Sequence, residues 1–235
     1  MRLMSIWVKV CANTSLFDAR IAVEAGADAV GFVFASSPRR VTAEQVAAIV
    51  PHLPASIEKI GVCVDATLDQ IVSIVRACGL TGVQLHSEKG PELPTGLRQS
   101  LGTELRIVGV VHFGARAAEQ AAAIGQDPNV DAVLVDSRTD LAPGGTGVAF
   151  DWATARESLF QNVKALKRLI AAGGLTPDNV AEAIVTLCPW GVDVASGVES
   201  APGRKDPQKV LKFVANARVA GQSLTAAFRD TPIFD

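Results

Sequence analysis

Short apolar runs rich in Val, Ile and Ala recur along the chain at near-regular intervals. They are IWVKV (6–10), ADAVGFVF (27–34), IEKIGVCV (57–64), GVQLH (82–86), LRIVGVV (105–111), VDAVLVD (130–136), LKRLIAA (166–172) and GVDVAS (191–196). Runs of this length that are apolar at nearly every position suit strands buried on both faces. Between them lie stretches with helical periodicity: 15–25, 42–50, 67–78, 90–100, 114–124, 151–158 and 177–187, with a last one over 206–217. Eight strands alternating with eight helices imply parallel pairing, because each return to the same sheet end requires a crossover. The pattern predicts an α/β fold, a (βα)8 barrel in a single domain over residues 1–235. An open doubly wound sheet is the competing architecture. It usually carries a glycine-rich dinucleotide fingerprint after its first strand, whereas here that strand runs into Cys11-Ala12-Asn13-Thr14.

Local punctuation agrees with these boundaries. Thr42 with Gln45 three residues later is a capping-box pattern. Thr176-Pro177 and Asp206-Pro207 place a capping side chain before a proline at a helix start. Gly79 is a natural helix stop. Asp28-Ala29-Val30 recurs as Asp131-Ala132-Val133, and Gly82-Val83 as Gly191-Val192. Echoes near half the chain length fit two half-barrels, though buried strands also reuse few residue types. Residues 221–235 follow the last helical stretch, and whether they form a tail or dock on the barrel is open.

Composition narrows the function classes. The 235 residues are 49% hydrophobic and 20% charged, with a formal net charge of −2. No basic tract marks a nucleic-acid partner. No apolar stretch approaches the ~20 residues that span a bilayer, and residues 1–6 lack a secretory pattern, so the expected compartment is the cytoplasm. Cys11, Cys63, Cys78 and Cys188 form no CxxC pair, and His52, His86 and His112 form no HxxxH. Neither a zinc site nor a disulfide framework is expected. Oligomeric state is not legible.

In a barrel of this kind chemistry sits at the C-terminal ends of the strands. Those ends carry Lys9 and Cys11, then Arg39 beyond strand two, Asp65, Gln84 with His86, His112, Asp136 and Asp193. Gly173-Gly174 and Ser196-Gly197 follow strands seven and eight, where such barrels hold phosphate on backbone N–H groups. Gly144-Gly145-Thr146-Gly147 forms a long connection after strand six, suited to a lid. A small phosphorylated ligand is the expected partner.

These segments resemble one family. Lys9-Val10-Cys11, GADAVGFVF (26–34), SPRRVT (37–42), GVQLH (82–86), LVDS (134–137), GGTGVAFDW (144–152), AGGLTPDNV (172–180) and GVDVASGVESAPGRKDP (191–207) are similar, in order and spacing, to the phosphoribosylanthranilate isomerases of tryptophan biosynthesis. The resemblance spans roughly residues 6 to 217. It implies an Amadori rearrangement of N-(5-phosphoribosyl)anthranilate to 1-(o-carboxyphenylamino)-1-deoxyribulose 5-phosphate, without metal or nicotinamide. By position Cys11 corresponds to the general base and Asp136 to the general acid. Arg39 corresponds to the arginine near the anthranilate carboxylate, with Gln84, His86 and Asp193 against the sugar. A thiol that serves as base must ionise, so its pKa is expected to fall, and Lys9 assists if its ammonium reaches the sulfur. Asp136 must hold its proton near neutrality.

Four positions depart from the family pattern. Ala12 and Ser87 stand where glycine is usual, Arg40 where an aromatic often sits, and Val148 where a lysine is common. A Cβ at position 12 is expected to disturb the strand-one loop, and Arg40 to add charge near the anthranilate pocket. Two other readings stay open. One is the related histidine-pathway isomerase, whose strand-one aspartate is replaced here by Cys11. The other is a barrel that binds a phosphorylated ligand without turning it over.

Overall fold

The apolar runs become strands because their branched side chains can be buried on both faces at once. One face fills a barrel and the other meets a ring of helices. A computed structural model describes residues 6–86, 90–136, 152–160 and 167–229. Eight strands form one closed parallel barrel in chain order. They are β1 (Trp7–Val10), β2 (Ala29–Val33), β3 (Glu58–Val64), β4 (Gly82–His86), β5 (Arg106–His112), β6 (Ala132–Asp136), β7 (Arg168–Ala172) and β8 (Gly191–Val194). β1 closes the barrel on β8, with Lys9 opposite Asp193. Around the barrel lie α1 (Leu16–Glu24), α2 (Ala43–Ile49), α3 (Leu68–Cys78), α4 (Glu92–Leu101), α5 (Ala117–Gln126), α6 (Trp152–Ala155), α7 (Val180–Leu187) and α8 (Pro207–Arg229). A π turn, Arg156–Phe160, continues α6.

The barrel interior is layered. Trp7 stacks on Trp190 at the bottom, with ring centroids 5.1 Å apart. Ala29, Ile60, Val108, Ala132, Leu134 and Ile170 fill the middle. The larger core, including Phe32, Phe160 and Phe213, lies between strands and helices. Burying side chains of that size contributes about 1.5–3 kcal/mol each. Lys9, Gln84, Asp136 and Asp193 are buried polar residues on the same strands, toward their C-terminal ends. The polar layer and the chemistry therefore share one end of the barrel.

All four capping expectations have a counterpart, and at the fourth Thr176 Oγ1 accepts the Asp178 N–H at 3.3 Å. Thr42 and Gln45 form a reciprocal capping box, Gly79 ends α3 at φ 65°, and Asp206 Oδ1 accepts from the N–H groups of Gln208 and Lys209. At Thr176-Pro177 the helix starts later, at Val180. There Asn179 Oδ1 accepts from the Thr176 N–H at 2.7 Å, so a side-chain-closed turn precedes the helix. The last helix, expected over 206–217, extends to Arg229. Gly221 allows this extension to approach β1: a Cβ there would stand 2.9 Å from Ile6 Cγ2. A hairpin of β9 (Glu199–Ala201) and β10 (Arg204–Lys205), unforeseen in the strand pattern, follows β8.

The internal echo has a structural counterpart. Asp28 Oδ2 accepts the Val8 N–H, and Asp131 Oδ2 accepts the Ile107 N–H, each at 2.7 Å. Each carboxylate also pairs with an arginine from an outer helix: Arg218 on α8 with Asp28 at 2.9 Å, and Arg98 on α4 with Asp131 at 2.7 Å. The two half-barrels thus pin their first and second strands in the same way.

Candidate active site

A cavity of about 250 Å³ opens at the C-terminal ends of the strands. Cys11, Arg39, Gln84, His86, Asp136, Gly173, Gly174, Asp193, Ser196 and Gly197 all line it. The expected site residues therefore converge on one space. Cys11 follows β1 and Asp136 ends β6, which places the thiol and the carboxyl on opposing parts of the rim. The loop 144–147, Ser87 and Val148 lie outside the described residues.

Lys9 is the hub of the polar layer. It is 1% exposed. Its Nζ donates to Gln84 Oε1 at 2.6 Å and to Asp193 Oδ2 at 2.8 Å. Because the Gln84 oxygen faces the ammonium, its amide Nε2 is left to donate to His86 Nε2, 2.9 Å away. The His86 Nε2 is then an unprotonated acceptor. Asp193 is buried and its second oxygen, Oδ1, has no hydrogen-bond partner among the described residues. A buried carboxylate oxygen in that state is an acceptor held ready for a ligand donor.

Burial pushes the Cys11 thiol up, against the pull of the Lys9 and Lys205 charges. The pKa was expected to fall, and its net direction is upward. Desolvation outweighs the nearby cations. Space for the sulfur comes from Gly31 on β2, where a Cβ would fall 2.6 Å from Cys11 Sγ and 3.0 Å from Lys9 Cε. Ala12 lines the cavity with φ 63°. The left-handed backbone that glycine would accept freely is thus kept, at a steric cost to alanine. Arg40 is exposed and is not among the described residues that line the cavity.

Arg39 is held by a residue that the sequence did not single out. Its Nε and Nη2 donate to both oxygens of Glu199, at 2.8 and 2.7 Å. Lys205 Nζ approaches the same carboxylate at 3.3 Å and donates to the Ala195 carbonyl. Burial raises the Glu199 carboxyl, but the Arg39 hydrogen bonds and the Lys205 charge overcome this and hold it below the usual carboxylate range. Two charged residues six positions apart across Ala201-Pro202-Gly203 were the available signal, and a turn there brings them together.

Both glycine pairs sit where a side chain would not fit the backbone. Gly173 and Gly174 have φ 84° and 63° in succession, a left-handed backbone that favours glycine. Gly197 touches the loop after β7 so closely that a Cβ would sit 1.9 Å from the Leu175 carbonyl oxygen. Among the described residues no group of three or more His, Cys, Asp or Glu is arranged to hold a metal, and no helix is long and apolar enough to cross a membrane.

A thiol and a carboxyl lining one cavity together with two glycine-bearing loops, at the C-terminal end of a closed (βα)8 barrel, are the groups that an isomerase of the barrel class requires. The family model described as N-(5'phosphoribosyl)anthranilate (PRA) isomerase matches residues 8–216. The chain belongs to that family. It is 43% identical over 212 residues to the N-(5'-phosphoribosyl)anthranilate isomerase of Citrifermentans bemidjiense, covering 90% of this chain and 96% of the relative. Phosphoribosyl anthranilate isomerase from Thermotoga maritima superimposes with a TM-score of 0.78 at 34% identity, over 91% of this chain and 99% of the other. A phosphoribosyl anthranilate isomerase solved with reduced 1-(o-carboxyphenylamino)-1-deoxyribulose 5-phosphate gives a TM-score of 0.76 at 32% identity, with the same coverage.

Proposed function

We propose that this protein converts N-(5-phosphoribosyl)anthranilate into 1-(o-carboxyphenylamino)-1-deoxyribulose 5-phosphate in tryptophan biosynthesis, in the cytoplasm. The observation that carries the residue assignment is the convergence of Cys11 and Asp136 on a cavity bordered by Gly173-Gly174 and Ser196-Gly197. A family member of matching fold binds the reduced form of that product.

In this reading the phosphate docks against the loops after β7 and β8, on backbone N–H groups. Asp136 gives its proton to the furanose ring oxygen as the C1′–O bond breaks, and the nitrogen lone pair forms the Schiff base. The Cys11 thiolate then removes the C2′ proton, and the electron pair left behind gives the enolamine, which tautomerises to the ketone. Asp193 Oδ1 accepts a sugar hydroxyl. Gln84 and His86 wall the sugar, with the Gln84 amide also holding Lys9. Arg39, kept in place by Glu199, receives the anthranilate carboxylate. Proton transfers of this kind need neither metal nor nicotinamide, and positioned acid and base groups typically contribute 10²–10⁴-fold each.

The test is to generate phosphoribosylanthranilate in situ and follow its fluorescence. Wild type is expected to consume it, and Cys11→Ala and Asp136→Ala to lose at least ~100-fold in kcat. A folded wild type that binds but does not turn over would sink the proposal and leave a ligand-binding barrel.

A further inference from the structure

We propose that Lys9 is a positioning residue for the Cys11 base, an ammonium pinned by Asp193 and Gln84 whose charge, held beside the sulfur, favours the thiolate. The proposal rests on reading Cys11 as the base.

A lysine buried in a barrel interior needs compensation, because an isolated buried charge is very unfavourable. An ammonium has three donors. Two are committed to Gln84 Oε1 and Asp193 Oδ2. The same side chain borders the Cys11 thiol: a Cβ at Gly31 would stand 2.6 Å from Cys11 Sγ and 3.0 Å from Lys9 Cε, so the two share one gap and the lysine charge acts on the sulfur. The strand period of two puts residues 9 and 11 on the same side of β1. The missing side chain at Gly31 lets both into one gap. The middle of the barrel is apolar, so a lysine is not required for filling. What it adds is a fixed positive charge beside a thiol that burial otherwise keeps neutral.

Other charges face the same sulfur. Asp193 opposes thiolate formation, and Lys205 favours it. Arg39 also senses the thiol. Lys9 and Asp193 therefore act on Cys11 with opposite signs although they form one ion pair. Structural damage would not reproduce that property.

The experiment is the pH dependence of iodoacetamide alkylation of Cys11 in the full chain, read by peptide mass spectrometry. Peptide resolution separates Cys11 from half-exposed Cys188 and from Cys63, which burial pushes up to about 11. Lys9→Met is expected to move the Cys11 inflexion upward and to slow alkylation at pH 8 about tenfold or more, one pKa unit being tenfold in thiolate. Asp193→Asn is expected to move the inflexion down. Lys9→Met/Asp193→Asn removes the pair without leaving a buried carboxylate unmatched, guards against misfolding of the single variant, and is expected to shift upward. No shift in either folded lysine variant, or a shift of the same sign for Lys9→Met and Asp193→Asn, would overturn the proposal. No substrate is involved, so this result is separable from the turnover assay: inactive wild type would refute the isomerase reading while the thiol titration still decides the role of Lys9.

Discussion

The two ends of the barrel treat charge in opposite ways. At the N-terminal end, Asp28, Asp131 and Glu58 are each paired with an arginine: Arg218, Arg98 and Arg106. These carboxylates are a quarter to a third exposed, and two of them also take a strand N–H. At the C-terminal end, Lys9, Asp193, Glu199 and Lys205 are nearly sealed from solvent, and one Asp193 oxygen has no partner among the described residues. The wet end fastens strands and helices. The dry end holds charges in a low-dielectric space, where each strongly affects its neighbours. An unpaired acceptor and a left-handed alanine at that end are costs that a purely structural layer would shed.

Several substitutions would break or sharpen this contrast. Glu199→Gln is expected to have the largest effect on stability, about 3–5 kcal/mol in urea unfolding, because Arg39 and buried Lys205 lose their counter-charge. Glu199 lies below the ordinary carboxyl value of 4.5 in the folded chain. Its contribution is therefore fully present above that value and is lost as pH falls through its folded pKa. The gap between wild type and Glu199→Gln should narrow as pH falls below that ordinary value and through the folded pKa. Equal stability of the two at pH 7 would remove the distinction between the ends. Gly31→Ala should cost at least ~10-fold in kcat, since its methyl would displace the Cys11 sulfur and a misplaced base loses that much. Assaying purified, folded variant decides this. Because burial raises the Cys11 thiol, kcat/KM should climb with pH across the neutral range. A flat profile there would mean that the base is already ionised in the free enzyme.

Smaller effects belong to the wet end and the strained loop. Glu58→Gln, removing an exposed partner of Arg106, should cost about 1 kcal/mol or less. A loss matching that of Glu199→Gln would erase the comparison. Ala12→Gly should stabilise the protein by about 0.5–1 kcal/mol, as relief of left-handed strain exceeds the extra freedom gained by the unfolded chain. A destabilised Ala12→Gly in thermal melting would show that φ 63° carries no strain.

The strands were legible because burial on both faces leaves continuous apolar runs, and their ends place Cys11, Gln84, Asp136 and Asp193 without further information. The glycine pairs were legible through chain position alone. The Arg39–Glu199–Lys205 cluster was not, since its geometry depends on a two-strand hairpin too short to show a period. The start of α7 was missed at Thr176-Pro177, where Asn179 closes a turn that the proline rule does not anticipate. Helix α8 was expected to end at 217, whereas it runs on past Gly221, which gives clearance against Ile6. The direction of the Cys11 pKa was misjudged because sequence shows the neighbouring lysine but not the depth of burial.

The pairing of β1 with β8 has a consequence for biosynthesis on the ribosome. Lys9 and Asp193 are 184 positions apart in the chain. While the chain is being made, the lysine and the thiol emerge early, and the carboxylate that orders them arrives only with the last strand. A chain ending before Gly191 lacks that carboxylate, so Lys9 is left with the Gln84 contact alone, and its ion pair forms in a late step, when the barrel closes.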